Sequence, residues 1–257
     1  MKTFAEIGGV DSPKTEAAQC AVHGEFASRN IIGKVWTRCP HCAAEKQAVE
    51  LRDSEARAAI ERQRSWEKRL GEAGIPERFH DRSLASYQAK NDGQKRALLF
   101  ATEFAESFDQ VLKTGRSAIF CGKPGTGKTH LAVGVGLYAM ACHKLVMFTT
   151  VQRMVWRVKD SFRHGSTESE KGVVDLMVQP DLLILDEVGV QHGTEFEKNL
   201  MFGILNERYE KRRPTLLLSN LPVAEVKAFL GERVYDRLRE DGGKAIAFDW
   251  ESHRGQA

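Results

Sequence analysis

One glycine-rich segment carries the residue types and spacing that most directly suggest chemistry. It reads GKPGTGKT, follows the apolar run SAIFC and precedes a helical pattern, so it fits G-x-x-x-x-G-K-[ST] in its usual context. Glycines let backbone N–H groups turn inward around phosphate oxygens, and the positive end of the next helix faces the same anion. The pattern predicts a phosphate-binding loop made of Gly122, Lys123, Pro124, Gly125, Thr126, Gly127, Lys128 and Thr129.

Two side chains of this loop have expected roles in binding a nucleoside triphosphate. Lys128 should bridge the β- and γ-phosphates as a point charge, and the Thr129 hydroxyl should ligate Mg²⁺. His130, the next residue, is included in the nucleotide-binding set. We therefore expect ATP or ADP with Mg²⁺ as ligands.

Polar residues also end two later apolar runs. Asp186 and Glu187 close LLILDE, a Walker B pattern in which the Asp holds the Mg²⁺ shell and the Glu polarises an attacking water. Asn220 follows TLLLS and is expected at the same sheet edge, where an amide orients water or contacts the γ-phosphate. We predict Lys128, Asp186, Glu187 and Asn220 as catalytic residues.

Two arginines follow in GERVYDRLRE. Arg233 and Arg237 are four residues apart and share one helical face. Such arginines are often solvated or salt-bridged, but ATP hydrolysis also needs a cation for transition-state charge, and a neighbouring subunit can supply it.

A cysteine and histidine cluster near the N-terminus has zinc-ribbon-like spacing. It reads Cys20-x₂-His23-x₁₅-Cys39-x₂-Cys42, so each pair can form a turn that points two ligands at one ion. Four ligands leave no open position, which favours a structural Zn²⁺ over a catalytic one. His41 lies between two ligands and is expected to point away. The alternative is a set of reduced, unligated cysteines.

The elements that must position these residues alternate between helices and continuous apolar strands. Strands buried on both faces have such a pattern, so the sequence predicts an α/β fold with a parallel sheet covered by helices. We expect strands at 117–121, 145–149, 182–186 and 215–219, and helices at 92–113, 127–142, 151–163, 194–212 and shortly before Pro180.

Composition divides the 257 residues further. We expect a flexible N-terminus (1–17), a zinc-binding module (18–43), a helical linker or partner-binding arm (44–73) and an ATPase domain with a reduced lid (74–257). The net charge of +3 predicts no strong global field, so basic surfaces must be local. No long apolar run or leader pattern occurs, which indicates a cytoplasmic protein without a membrane partner.

The motifs together resemble a known family. GKPGTGKTHLA, LLILDEVGVQ, ERYEKRRPTLLLSN, LGERVYDRLRE and AFDWESHR look like the AAA+ helicase loaders of bacteria and phages, the DnaC type, over about residues 75–257. The resemblance implies an AAA+ ATPase of the initiator clade. It implies that Arg237 is the arginine finger, with Arg233 as second candidate, that Asn220 is sensor 1 and that Arg254 is the sensor 2 arginine. Residues 74–79 resemble the segment that borders the adenine.

The same resemblance implies partners. These are the hexameric replicative helicase of the DnaB type, single-stranded DNA, and further copies of the chain in an ATP-dependent oligomer or spiral on the helicase. Many loaders carry a helical N-terminal domain without metal, so the mode of helicase docking stays open here. Candidate DNA contacts are the basic residues of one helix, with interleaved Trp156 and Phe162, and a later basic run: Arg153, Arg157, Lys159, Arg163, Lys211, Arg212 and Arg213.

Two other functions remain as alternatives. An ATPase helper of a DNA transposase, of the IstB type, shares the phosphate-binding loop, Walker B and sensor layout. A zinc-dependent adaptor that binds nucleotide without turnover is the second, and intact Lys128, Asp186 and Glu187 argue against it.

Overall fold

The structure, a computed structural model, describes residues 14–32, 35–189 and 194–253. The chain divides into two compact units, Met1–Glu67 and Lys68–Ala257. Helix α1 (Pro40–Glu72) crosses this division, which lies inside the segment expected to be a linker or arm. Among the residues described, no helix has both the length and the apolar character that crossing a membrane requires.

The N-terminal unit holds a small antiparallel sheet followed by α1. Strands β1 (Thr15–Cys20) and β2 (Gly24–Ile32) form a hairpin, and β3 (Val35–Trp36) pairs with β2. β1 starts within the segment expected to be flexible. α1 begins before residue 44 because Pro40 is pre-organised for the first helical position.

The larger unit contains a five-stranded parallel sheet in the order β5-β6-β7-β4-β8. Its strands are β4 (Ala118–Gly122), β5 (Val146–Thr150), β6 (Leu182–Asp186), β7 (Thr215–Ser219) and β8 (Lys244–Phe248). The central strands are fully buried, as in Leu182, Leu183, Ile184 and Leu185 at 0% exposure. This confirms the predicted parallel sheet with helices covering it.

Helices connect the strands and cover the sheet. They are α2 (Asp92–Glu106), α3 (Phe108–Thr114), α4 (Lys128–Ala141), α5 (Val151–Ser161), α6 (Glu170–Val178), α7 (Glu195–Glu210), α8 (Val223–Leu230) and α9 (Glu232–Arg237).

Two sequence expectations were wrong. The single helix expected at 92–113 is two helices, because Ser107 leaves the helical conformation (φ −91°, ψ 20°) and its hydroxyl donates back to the Glu103 carbonyl. The sheet has a fifth strand, β8, whose short run KAIAF was not recognised as a strand. β8 lies beside β4, the strand that leads into the glycine-rich loop.

Candidate functional site

The glycine-rich loop joins the end of β4 to the start of α4. Gly122 and Gly127 adopt φ angles of +122° and +97°, which side-chain-bearing residues rarely adopt. A Cβ at Gly122 would lie 2.4 Å from the Phe248 carbonyl oxygen, and one at Gly127 would lie 2.7 Å from the Tyr87 ring. Both glycines are therefore required by backbone conformation and by close neighbours.

The loop turns its lysine inward. Lys128 is 5% exposed, and its ammonium donates to the Gly122 and Lys123 carbonyls at 2.8 and 2.7 Å. Thr126 is fully buried and its hydroxyl donates to the Lys123 carbonyl at 2.7 Å. The cation is thus held at the mouth of the loop, where an incoming phosphate would replace the two carbonyls.

The Walker residues meet across the sheet edge. The Thr129 hydroxyl donates to Asp186 Oδ2 at 3.0 Å, and the Glu187 N–H donates to Asp186 Oδ1 at 2.7 Å. Burial raises the pKa of Asp186, while hydrogen bonds from Glu187 and Thr129 act against that shift. A hydroxyl and a carboxylate are the hard oxygen ligands that Mg²⁺ takes, so these two residues fit the ion.

Glu187 has a backbone conformation that is unusual for its type. Its φ is +61° and its side chain is exposed. Left-handed non-glycine residues cost energy and cluster at functional sites. The residue lines a cavity of about 200 Å³ together with Gln152, Trp156 and Phe229. Glu187 thus lies exposed directly after Asp186, at the carboxyl end of β6.

A serine missed by the sequence reasoning fixes the position of Asn220. Ser219 is 1% exposed; its hydroxyl donates to the Val188 carbonyl at 2.6 Å and accepts from the Leu221 N–H at 3.1 Å. The strand order places Asn220 between the ends of β4 and β6, exposed at the same edge as Asp186. Serine at a strand end is common, so its type alone gave no signal.

The segment after β8 contacts the glycine-rich loop, a role that the sequence reasoning also missed. The Lys123 N–H donates to the Phe248 carbonyl at 2.9 Å, and Trp250 and His253 each hydrogen-bond a loop carbonyl. The ending AFDWESHR contributed to the resemblance but gave no role for these residues. Arg254 lies outside the described residues.

His130 contacts the segment that precedes α2. Its Nε2 is 2.9 Å from the Ser83 carbonyl and 3.2 Å from the Ser86 hydroxyl, and its ring packs edge-on against Tyr87. Burial lowers the pKa of His130. The side chain therefore anchors α4 to the segment before α2.

The two arginines of α9 differ in their surroundings. Arg233 is exposed. Arg237 is half-buried: its Nη1 donates to Asn206 Oδ1 at 2.7 Å, and its guanidinium carbon lies 4.5 Å from the centre of the Tyr209 ring. Arg237 is thus oriented by α7 of its own chain.

The basic residues considered for DNA contact are largely engaged with acidic neighbours. Arg157 pairs with Glu168, Lys159 with Glu197, Arg163 with Asp160, Lys211 with Glu207 and Arg213 with Asp181. Trp156 and Phe162 are both 57% exposed, so they are not core residues. Trp156 on α5 and Phe162 directly after it therefore present aromatic rings to solvent, as side chains that stack on bases do.

The structure brings the four predicted zinc ligands together. Cys20 and His23 flank the β1–β2 turn, Cys39 directly precedes α1, and Cys42 lies in its first turn. Four ligand contacts span 3.3 to 3.8 Å, near the roughly 3.5–3.8 Å expected for tetrahedral Zn²⁺ with sulfur and nitrogen ligands. The second pair sits at a helix N-terminus rather than in a second ribbon turn. The donor set fits a structural zinc ion.

Neighbouring groups support that ligand set. The N–H of Val22, followed by that of His23 and the side chains of Cys42 and His23, lowers the pKa of the Cys20 thiol to about 6. The contact with Cys20 raises the pKa of the Cys42 thiol to about 11, so the two sulfurs share one proton until a cation replaces it. His23 turns Nδ1 to the sulfurs, and its Nε2 lies 3.1 Å from Glu45 Oε1. A carboxylate on the outer ring nitrogen fixes the tautomer of a ligating histidine. Glu45 was missed because nothing in its spacing marks it.

Comparison with known proteins gives a family and a fold. Residues 48–240 match the family model described as IstB-like ATP binding protein. The replicative helicase loader DnaC of Buchnera aphidicola (subsp. Acyrthosiphon pisum) is 36% identical over 185 residues, which are 72% of this chain and 74% of that protein. The replicative helicase loader DnaC of Escherichia coli K12 is 35% identical over 202 residues, 77% of this chain and 81% of that protein.

A solved structure agrees at the level of fold. The crystal structure of the DnaC helicase loader superposes with a TM-score of 0.59 at 24% identity, covering 67% of this chain and 99% of that one. The parallel sheet and its helices therefore share the fold of that structure, and the matching family model identifies an ATP-binding protein.

Proposed function

The chain belongs to the family of IstB-like ATP-binding proteins, and from this membership we propose that it is an ATP-driven loader of a hexameric replicative helicase. The observation that carries the proposal is the 35% identity over 202 residues with a protein named replicative helicase loader. The proposed action is to hold the helicase while single-stranded DNA enters it. We propose that this takes place in the bacterial cytoplasm, with or without phage infection.

The proposed ATPase chemistry follows from the sheet edge. Lys128 leaves its two carbonyl partners for the β- and γ-phosphates, and the loop N–H groups bind phosphate oxygens. Thr129 and Asp186 would hold Mg²⁺, which neutralises developing phosphate charge when bound. Glu187 accepts a proton from the attacking water, and Asn220 orients that water. Arg237 of a neighbouring copy stabilises the transition-state charge.

We assign partner recognition to the N-terminal unit. Its long helix α1 is exposed along most of its length, including Val49, Leu51 and Ile60, each more than half exposed. Apolar residues scattered singly on a surface are ordinary, so the assignment rests on α1 belonging mostly to the unit that does not hold the ATP site. Zinc would fold the short segment before this helix.

Co-purification with a DnaB-type hexameric helicase tests the proposal. We expect a stable complex with ATP, and loss of that complex when residues 1–67 are deleted, with ATP binding retained. The cut precedes Leu70, which is 3% exposed within the larger unit. If the chain of all 257 residues binds ATP but no replicative helicase, the proposal is contradicted.

The family model's description favours one second candidate, an ATPase helper of a DNA transposase. The same co-purification with a transposase in place of the helicase separates the two. ATPase stimulation by transposase and not by helicase would select the second candidate.

A further inference from the structure

Residues outside the glycine-rich loop hold two consecutive loop carbonyls. The Trp250 indole Nε1–H donates to the Thr126 carbonyl at 2.9 Å, and the Tyr87 hydroxyl donates to the same oxygen at 3.3 Å. The His253 backbone N–H donates to the Gly125 carbonyl at 3.0 Å. Burial raises the pKa of Tyr87 to about 12, so its hydroxyl remains a donor at neutral pH.

Peptide geometry converts these contacts into control of the phosphate-binding donors. In a trans peptide, the carbonyl of one residue and the N–H of the next point in opposite directions. A fixed Thr126 carbonyl therefore fixes the Gly127 N–H on the opposite side, and a fixed Gly125 carbonyl does the same for the Thr126 N–H. Within the described part of the chain, neither N–H has a protein acceptor. Both donors are left for an anion.

The segment that supplies these contacts is itself anchored on α2. The Trp250 ring lies 4.8 Å from the Phe248 ring, centre to centre, and a Cβ on Gly93 would approach Trp250 Cε3 to 2.9 Å. The Gln94 side-chain nitrogen lies 2.8 Å from His253 Nε2, while its oxygen accepts from the backbone of Asn91. The indole is thus wedged between the start of α2 and the loop.

We propose that Trp250 is a positioning residue of the nucleotide site: it acts through the Thr126 carbonyl to aim loop N–H groups at the polyphosphate of the ligand. The inference rests on the proposed function only for the identity of that ligand, a nucleoside polyphosphate. Trp250 touches neither nucleotide nor reacting atoms in this role. Its effect is on the readiness of the loop, so it should govern affinity.

Substitution of Trp250 by Phe tests the inference, because it keeps an aromatic ring and removes the N–H. Isothermal titration calorimetry with MgADP should show binding about threefold to tenfold weaker than in the wild type, the range expected for one hydrogen bond. Trp66→Phe makes the same change in α1 of the N-terminal unit and should leave MgADP affinity unchanged. Equal affinities in Trp250→Phe and Trp66→Phe would overturn the inference.

Inorganic pyrophosphate separates positioning from general loosening. It can contact the phosphate loop but has no base or sugar, so competition by pyrophosphate against MgADP should weaken by the same factor in Trp250→Phe. A loss for MgADP without a loss for pyrophosphate would overturn the role at the loop.

Gly93→Ala provides a second route to the same contact if Trp250→Phe folds poorly. The added methyl group would press on the indole without removing any hydrogen-bonding group. It should weaken MgADP binding in the wild type and have a smaller effect once Trp250 is Phe, a coupling that a double-mutant cycle measures. Equal effects in both backgrounds would contradict the inference. If MgADP affinity changes as predicted in every variant but the protein binds no helicase, only the loader function is contradicted.

Discussion

At the scale of single residues, the carboxylate of Glu187 is the group on which turnover should depend. Glu187→Gln keeps the size and the left-handed backbone but cannot accept a proton. We expect ATP affinity near that of the wild type and hydrolysis reduced by about 10²–10⁴-fold, as for loss of a general base. A phosphate-release assay measures it. Glu210→Gln, at an exposed site near the end of α7, serves as control. Equal turnover in wild type and Glu187→Gln would refute the assignment.

The sequence predicts the role of a residue only when that role requires a fixed spacing to neighbouring residues in the chain. Lys128, Thr129 and Asp186 follow from short patterns, and the structure places them at one sheet edge. Ser219 and Trp250 act through backbone atoms of residues distant in sequence or around a turn, so no local pattern marks them. Their discovery requires the three-dimensional neighbours.

At the scale of elements, a buried arginine of α7 joins a second helix and the starts of two strands. Arg208 of α7 is 0% exposed, and burial lowers its pKa to about 9, which leaves it charged at neutral pH. Its guanidinium donates to the Thr215 hydroxyl and to the carbonyls of Met177, Val178, Pro180 and Pro214. The end of α6 and the starts of β6 and β7 are thereby tied together. Nothing in its spacing distinguishes Arg208 from the neighbouring basic run 211–213.

Arg208→Met should destabilise the larger unit strongly. The change leaves several buried carbonyls without donors, and we expect a loss of at least about 3 kcal/mol in the free energy of unfolding. Urea denaturation measures it. Arg96→Met, at an exposed position of α2, is the matched control and should have little effect. Similar stabilities for the two variants would show that the carbonyls find other donors.

The zinc module provides a second prediction at this scale. Cys39→Ser, or a chelator, should unfold the β1–β3 sheet while ATP binding persists, because so small a segment has little core without its ion. Metal analysis should give one zinc per chain in the wild type and in Cys142→Ser, which alters an exposed cysteine outside the cluster. A wild-type protein free of metal with an ordered sheet would contradict the assignment.

Glu45 should raise the affinity of the site for zinc without itself binding the ion. Glu45→Gln removes the carboxylate beside His23 Nε2, and we expect zinc affinity to fall about 10–100-fold. Competition with a chromophoric chelator measures the change. Glu50→Gln, further along α1 and exposed, should leave the affinity unchanged. If both variants hold zinc equally, the hydrogen bond at 3.1 Å does not support the site.

At the scale of the whole molecule, the role of Arg237 depends on whether copies of the chain assemble so that one supplies this arginine to the ATP site of the next. If it completes a neighbour's site, activity should rise with protein concentration, DNA or helicase, since an arginine finger contributes about 10³–10⁵ in rate. Mixing Arg237→Ala with Lys128→Ala should then restore activity that neither variant shows alone, because some interfaces combine an intact loop with an intact arginine. A steady-state ATPase assay of the mixture detects the recovery.

The matched mixture uses Arg233→Ala in place of Arg237→Ala. If activity recovers when Arg233→Ala is mixed with Lys128→Ala but not when Arg237→Ala is, the arginine finger is Arg233, the exposed arginine of α9. With no recovery under conditions where wild-type chains assemble, the contacts of Arg237 with Asn206 and Tyr209 would be its whole role. The sequence could place both arginines on one face but not say which of them α7 engages.

Pairing of β4 with β8 also determines when, during synthesis, the nucleotide-binding loop reaches its final structure. Ala118 pairs with Lys244, and the Lys123 N–H donates to the Phe248 carbonyl, although nearly half the chain separates these residues. A nascent chain that has already emerged through β7 carries the whole nucleotide motif but lacks the strand and indole that brace it. Contacts so distant in sequence form late. Translation must therefore reach residues 244–253 before the loop is braced, so a chain released before that point should bind ATP more weakly than the finished protein.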